Sequence, residues 1–281
     1  MNIVLILAKE GSLGLPGKNI WKIKGKTLLG WTIEEAKRSK LVDKIFVSTN
    51  GQQTASVAKK NGAEVIMRDN ELAKNEKFME SVDHAIKLIK SKYPDLSIIA
   101  IPQCVVPFRD PNVFDKCIGF LLKNKEYDSA VTIRRVPFIP EAMMKKENGC
   151  MVPYFAHSQE MVSCSRQDSA GYEIDHTVEC FRYRSWLNRA KGMKPWDYMG
   201  QKIKGIEQKY HNHNCFVDVH ILDDIKWLEF IVDNLGYEGM VSLDVPAKIK
   251  SSASASSTKT GGSFGGCSSL SGKDRTRENY G

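Results

Sequence analysis

The sequence carries no paired cysteines. Its seven, at 104, 117, 150, 164, 180, 215 and 267, stand singly with no C-x-x-C spacing. That excludes a disulfide framework and a paired-cysteine zinc site, and it makes a reducing cytoplasm the expected compartment. Long apolar runs are also missing. No stretch approaches the roughly 20 residues of a membrane helix, and the short apolar run after Met1-Asn2 has no basic segment before it, so it does not read as a secretion signal. No basic stripe interleaved with aromatics is present, which argues against nucleic acid as a partner. The net charge is +8, yet residues 247–281 hold six basic side chains against two acidic, so half of the excess lies there. The mildly basic remainder fits small polyanionic substrates. At 281 residues, 42% hydrophobic and 26% charged, the chain has the make-up of a soluble globular protein with one α/β domain or two small ones.

Against these absences stands residues 3–19. Ile3 to Leu7 are an unbroken, mostly branched apolar run, the pattern of a parallel strand covered on both faces. Gly11, Gly14, Pro16 and Gly17 then forbid a regular element, and Lys18-Asn19 close the loop. Such a loop can bring backbone N–H groups close to an anion, with a lysine as point charge for a phosphate. A plain surface turn has the same composition. The spacing is neither G-x-x-x-x-G-K-S/T nor G-x-G-x-x-G, so neither the mononucleotide nor the dinucleotide fingerprint applies.

Further on, strand and helix alternate. Helices are predicted at Leu28 to Ala36, Gln52 to Asn61 (capped by Gly62), Phe78 to Ile89 and Asn112 to Lys123. Strands are predicted at Lys44 to Thr49, Glu64 to Met67, Leu96 to Ile101 and Asp128 to Ile133. This is the signature of an α/β fold with a doubly wound, mostly parallel sheet. Arg68 and Arg109 follow predicted strand ends, where open α/β sheets bind ligands, and are read as ligand-side cations. Residues 134–165 are less regular, with Asn148-Gly149 as a hairpin turn. In the stretch 216–224, Val217, Val219 and Ile221 alternate with Asp218 and His220. A strand there would put Asp218 and His220 on one face, suited to a divalent cation bridging carboxylate and phosphate oxygens. Asp223 and Asp224 read as charge at the start of a helix.

The wording of the first loop resembles the signature of the acylneuraminate cytidylyltransferase family, which includes the CMP-sialic acid synthetases. Leu7, Ala8, Ser12, Gly14, Pro16, Lys18 and Asn19 match, while Lys9 stands for an arginine and Leu13 for a lysine. The resemblance continues through Val47-Ser48-Thr49, Gly62-Ala63-Glu64-Val65, Arg68 and Leu72-Ala73, and through Gln103, Pro107 and Arg109, with Val105-Val106 in place of Thr-Ser. Ser165-Arg166-Gln167 is similar to the start of the family's sugar-site segment, but His176-Thr177-Val178 replaces an Asn-Gly. Asp218 falls at the first metal aspartate, His220 at the second, and Asp224 and Glu229 match the acidic helix start.

The resemblance covers residues 2–236 and implies a Rossmann-like nucleotidyltransferase that takes CTP and an acidic sugar, such as a nonulosonate, and releases pyrophosphate. It implies nucleotide contacts from Leu7, Ala8, Lys9, Ser12, Lys18, Asn19 and Arg68, and sugar contacts from Gln103 and Arg166. It places Mg2+ (with Mn2+ as an option) on Asp218 and His220, and gives catalytic roles to Lys18 and Asp218. An insertion at about 134–165 would mediate a homodimer. The departures Lys9, Leu13, Val105-Val106 and His220 leave two alternatives open, a nucleotide-binding relative without this catalysis and a cytidylyltransferase for a non-sugar acceptor.

From Ala247 the composition turns to Ser, Gly, Thr and Lys, so residues 1–246 are expected to form the domain and 247–281 a disordered low-complexity tail. Truncation after Pro246 should leave the thermal midpoint within about 2 °C, because solvated residues bury little. A larger drop in a melting curve would show that the tail packs on the body.

Overall fold

The computed structural model describes residues 1–12, 14–74, 77–136, 142–155, 171–208 and 217–234. The chain divides into two units, Met1–Ser242 and Leu243–Gly281, of which the second lies wholly outside the described residues. The expectations for Leu13, Arg166, the tail and much of the insertion also fall outside them.

Strand β1 (Asn2–Leu7) lies at the middle of the fold because its side chains are apolar on both faces. Val4 and Ile6 point into one core with Leu29, Ile33, Ala36, Phe114 and Ile118. Ile3 and Leu5 point into the other, with Phe46, Val82, Ile86 and Ile99. After β1 come a small ribbon, β2 (Lys22–Ile23) and β3 (Lys26–Thr27), then α1 (Leu28–Arg38), β4 (Lys44–Thr49), α2 (Gln52–Lys60) and β5 (Glu64–Met67). Then follow α3 (Phe78–Lys92), β6 (Ile98–Ile101), α4 (Val113–Lys123) and β7 (Ser129–Arg135). The hairpin β8 (Met144–Glu147) and β9 (Cys150–Pro153) precedes β10 (Tyr172–Arg182), α5 (Tyr183–Leu187), β11 (Ile203–Glu207) and α6 (Leu222–Asn234). Helices α1, α2 and α4 contribute to the first core, α3 and α5 to the second. Each fully buried leucine or isoleucine there is worth roughly 1.5–3 kcal/mol.

The main sheet runs β11-β7-β10-β6-β1-β4-β5. All its pairings are parallel except those of β10, which runs antiparallel to both β6 and β7. The expected mostly parallel, doubly wound α/β sheet is the observed one, and the predicted elements of the first half are found within a few residues. Local chemistry explains their ends. The Thr27 side chain caps α1 by accepting from Gly30 N–H at 2.9 Å. Gly62, at φ 86°, closes α2 with its N–H on Lys59 O and the following Ala63 N–H on Ala58 O. Asn148 and Gly149, both at positive φ, form the turn between β8 and β9.

A third apolar cluster joins Leu15, Ile23 and Leu28 to Val105, Val106 and Phe108, and both groups to Val217, Val219 and the inner face of α6. It corrects the reading of residues 217–221 as a strand. They form no ladder, because the backbone-to-backbone bond among the described residues is to the irregular loop after β6, through Val219 N–H to Val105 O at 3.0 Å. Val217 and Val219 are buried as the alternation required, but Ile221 is exposed. Asp224 caps α6, accepting from the N–H groups of His220 (2.7 Å) and Ile221 (2.9 Å), which agrees with a structural reading of that acid.

Gly14 is where the first loop touches this segment. A Cβ there would lie 2.7 Å from the backbone oxygen of His220, and backbone cannot swing aside as a side chain does. Gly14→Ala should therefore cost about 1–3 kcal/mol of overpacking, read by denaturant unfolding. An unchanged midpoint would show that loop and segment are not packed as described.

Candidate functional site

The site is built at the carboxyl ends of β1, β4, β5 and β6, where the parallel strands release their loops. One cleft there is lined by Leu7, Lys9, Lys18, Asn19, Arg68 and Gln103, together with Leu72, Phe78 and Ser81. The structure thus brings together six of the residues expected from the sequence. Ala8 lies beneath, fully buried, its N–H on Ser48 O at 3.0 Å. Ser12 sits half-exposed on the loop and does not line the cleft.

Asn19 fixes the loop. Its amide donates to Lys9 O at 2.7 Å, and its oxygen receives the Cys104 thiol at 3.0 Å. The Cys104 thiol is wholly buried and pushed up to about 12, so it stays protonated and serves as a donor. Lys18 reaches out of the loop to donate to Val219 O at 2.9 Å. The bond holds the Asp218 segment beside the cleft. Asp218 is half-buried. One carboxylate oxygen, Oδ1, is buried with no hydrogen-bond partner among the described residues. The other lies 3.0 Å from Nε2 of the exposed His220 ring, so the two side chains meet as the alternation predicted.

Two arginines after strand ends have different surroundings. Arg68 is buried to 8% exposure in the cleft wall, with Nη1 donating to Ser48 Oγ at 3.2 Å. Its Nε is buried without a hydrogen-bond partner among the described residues. Burial lowers the guanidinium to about 10, still cationic at neutral pH. Arg109 corrects the reading of a ligand-side cation: it is wholly buried and absent from the cleft lining. It donates to Gln103 O (2.8 Å), Thr32 Oγ1 (3.2 Å) and Pro107 O (3.3 Å), bracing the loop that carries Gln103. Burial lowers it to about 10, opposed by the Glu35 charge. Glu35 in turn is raised by burial, against the pull of Arg109.

Val105 and Val106 are apolar for a packing reason. Both are buried in the third cluster against Val217 and Val219, and Val105 also lines the cleft. The sequence reading missed Phe78 and Ser81, which enter the cleft from the first turn of α3. Their only signal was position in a helix already read as core-facing.

Residues 3–179 match the family described as cytidylyltransferase. An N-acylneuraminate cytidylyltransferase of Escherichia coli is 31% identical over 134 residues, covering 47% of this chain and 31% of that protein. A pseudaminic acid cytidylyltransferase of Campylobacter jejuni is 27% identical over 200 residues, covering 69% of this chain and 84% of that protein. The chain spans about a third of the length of the N-acylneuraminate relatives it matches. Among solved structures, a CMP:2-keto-3-deoxy-manno-octonic acid synthetase complexed with CTP superposes with a TM-score of 0.60 at 15% identity, over 83% of this chain and 99% of that one. A 4-diphosphocytidyl-2C-methyl-D-erythritol synthase from Anaerococcus prevotii gives 0.59 at 16%, over 83% and 98%. At such identities the superpositions speak for the fold, which is that of nucleotidyltransferases. With the family match running through β1, its glycine loop and the cleft, the chain belongs to the cytidylyltransferase family, as a divergent member akin to the CMP-sialic acid synthetases.

Proposed function

We propose that the protein transfers CMP from CTP to an acidic sugar of the nonulosonate class, with release of pyrophosphate. The observation that carries this reading is the cationic wall of the cleft. Lys9, Lys18 and Arg68 converge there, and Arg68 holds a buried Nε with no partner among the described residues, which a ligand oxygen would satisfy. Such a wall suits a triphosphate. The acceptor hydroxyl would attack the α-phosphorus in line, the bond from that phosphorus to the β-bridging oxygen would break, and the cations would balance charge gathering on the leaving pyrophosphate. Gln103, at the cleft's edge on its Arg109-braced loop, would contact the acceptor, with Arg166 as the second candidate.

A divalent cation fits the residues present. Asp218 offers one buried carboxylate oxygen with no partner among the described residues, as a hard cation prefers. No group of three or more His, Cys, Asp or Glu gathers among the described residues, so phosphate oxygens and water would complete the shell. When bound, Mg2+ would neutralise triphosphate charge. His220 is a poor magnesium ligand but acceptable to manganese. Its bond to Asp218 favours a second reading, a nucleotide binder with a weakened metal site. A non-sugar acceptor is a third.

A second copy of the chain is the expected partner. Met144, Met151, Tyr154 and Phe155 on and beside the β8–β9 hairpin are exposed apolar side chains suited to that contact. No helix among the described residues is long and apolar enough to cross a membrane; we propose a cytoplasmic location on the singly spaced cysteines.

Lys18→Ala should lower turnover on the order of 10²-fold or more, in a pyrophosphate-release assay with a panel of nonulosonic acids. CTP should be preferred over ATP, GTP and UTP; equal use of all four would overturn the nucleotide assignment. For the metal, Asp218→Ala should abolish metal-dependent turnover while metal-free nucleotide binding survives. His220→Asp adds a hard oxygen ligand and should shift preference from manganese to magnesium. Activity gained only in that variant would identify the natural chain as a binder, and an unchanged metal response in both would remove this segment from the metal site.

A further inference from the structure

Strand β10 breaks its pairing with β7 in the middle. Ile174 pairs with Ile133 and Glu179 with Val131, so residues 175–178 bulge out opposite Thr132. The bulge is held by a buried carboxylate. Asp175 accepts from Thr177 N–H at 2.9 Å, from Gln208 Nε2 at 2.7 Å and from the Thr132 hydroxyl. Val178 N–H donates back to Thr132 Oγ1 at 2.9 Å. At the crest sits His176 with φ 56°, a left-handed conformation that a histidine adopts at a cost. Bulges of this kind re-aim a side chain next to a site.

Its surroundings place the crest beside the cleft, although the ring is not among the lining residues. The His176 carbonyl accepts from Gln103 N–H at 3.3 Å, so the crest touches the backbone of a cleft residue. Nδ1 faces Oε1 of Glu179, a carboxylate buried in the sheet opposite Ile101, which also lines the cleft. The other oxygen of Glu179 receives the Tyr198 hydroxyl. Each group is thus oriented by the next, in a chain running from Tyr198 to Glu179 to His176. Trp196 flanks the ring at 6.1 Å between centroids. The ring is about one-third exposed, and its hydrogen bond among the described residues is the one at Nδ1, which leaves Nε2 toward solvent. A carboxylate on Nδ1–H with Nε2 open is the geometry of an oriented general base.

We propose that His176, oriented by Glu179, is the general base that takes the proton from the acceptor hydroxyl in nucleotidyl transfer. This rests on the transfer reading above. As the acceptor oxygen bonds to the α-phosphorus and pyrophosphate leaves, the hydroxyl proton passes to Nε2 and later to solvent. Among the described residues the charged groups acting on the ring are Glu179 and Asp175 from β10 and Asp218 from the segment beside the cleft, with the Tyr198 hydroxyl behind Glu179, and the buried Arg109 lies next along, donating to Thr177 O at 3.5 Å. The carboxylates stabilise the imidazolium, Glu179 most, and raise the group above its ordinary 6.5 against the opposing effect of burial. The base works when neutral, so turnover should rise with pH through that raised value.

The test is the pH dependence of kcat for wild type, His176→Asn and Glu179→Gln, with KM values for CTP and acceptor. Asparagine tolerates the left-handed backbone, so the bulge should persist, checked by the melting midpoint and by calorimetric CTP binding. In His176→Asn, kcat should fall on the order of 10²-fold or more, CTP affinity should hold, and the acidic limb should vanish. In Glu179→Gln the limb should move to lower pH. A limb that persists in His176→Asn, or a loss confined to acceptor KM with kcat intact, would overturn the inference while leaving the transfer reading standing. Wild type that binds CTP but releases no pyrophosphate with any acceptor would overturn both.

Discussion

The bond from Lys18 Nζ to Val219 O joins residues 201 positions apart, and the arrangement of the cleft depends on it. Without it the segment carrying Asp218 would be held by one backbone bond to Val105 and by two buried valines. With it, and with Gly14 lying against the His220 carbonyl, the first loop and the late segment form one wall. This does not consume the lysine. An ammonium has three donors, so one bond to a carbonyl leaves two for phosphate oxygens. The same charge can therefore fix the segment and meet a triphosphate, whereas the Asn19 amide is committed to Lys9 O and the Cys104 thiol.

The parallel half of the fold was legible because its signals are local. Ile3 to Leu7, Lys44 to Thr49 and Glu64 to Met67 are short apolar runs bounded by glycine, asparagine or charge, and the helices between them repeat at 3.6 residues. Strand β10 was not legible. Its pairing is interrupted between Ile174 and Glu179, and its inner positions include Asp175, Thr177 and Glu179, of which Asp175 draws on Thr132 and Gln208 and Glu179 on Tyr198, partners that a local pattern does not reveal. Strand β11, Ile203–Glu207, is a half-buried edge strand with Lys204 and Gly205 in its middle. In the site, Asp218 and His220 were found by period two even though no strand exists, because an extended segment alternates its side chains whether or not it joins a ladder.

Arg68 and Arg109 show the limit of reading cations from sequence. Both follow strand ends, and both lose solvation. Burying a charge is costly unless polar partners replace water. For Arg109 the carbonyls of Gln103 and Pro107 and the Thr32 hydroxyl do so, with Glu35 supplying opposite charge. Its role is to hold a loop. Arg68 has Ser48 on one nitrogen and, in the wall of a cleft, an Nε with no partner among the described residues. The difference lies in which carbonyls the fold brings near, and only the assembled sheet decides that.

Most of the departures from the family pattern lie close together. Val105 and Val106 replace a Thr-Ser and are buried with Val217 and Val219, while Val219 N–H bonds to Val105 O and His220 follows next in the chain. A change from hydroxyls to branched apolar side chains in the Gln103–Arg109 loop strengthens its packing against the very segment that presents Asp218 and His220. His176, the replacement on β10, is bonded through its carbonyl to the first residue of that same loop. The cleft lining still carries the cations Lys9, which replaces the family's arginine, Lys18 and Arg68. A cation wall binds polyphosphate whatever the acceptor, whereas under the proposed transfer the loop, the Asp218 segment and the β10 bulge would meet the metal and the reacting hydroxyl. Two departures, Lys9 and Leu13, fall in the first loop, and of these Lys9 keeps its charge, while Val105, Val106, His220 and His176 gather about the Asp218 segment, the side that under the proposed transfer would meet the acceptor.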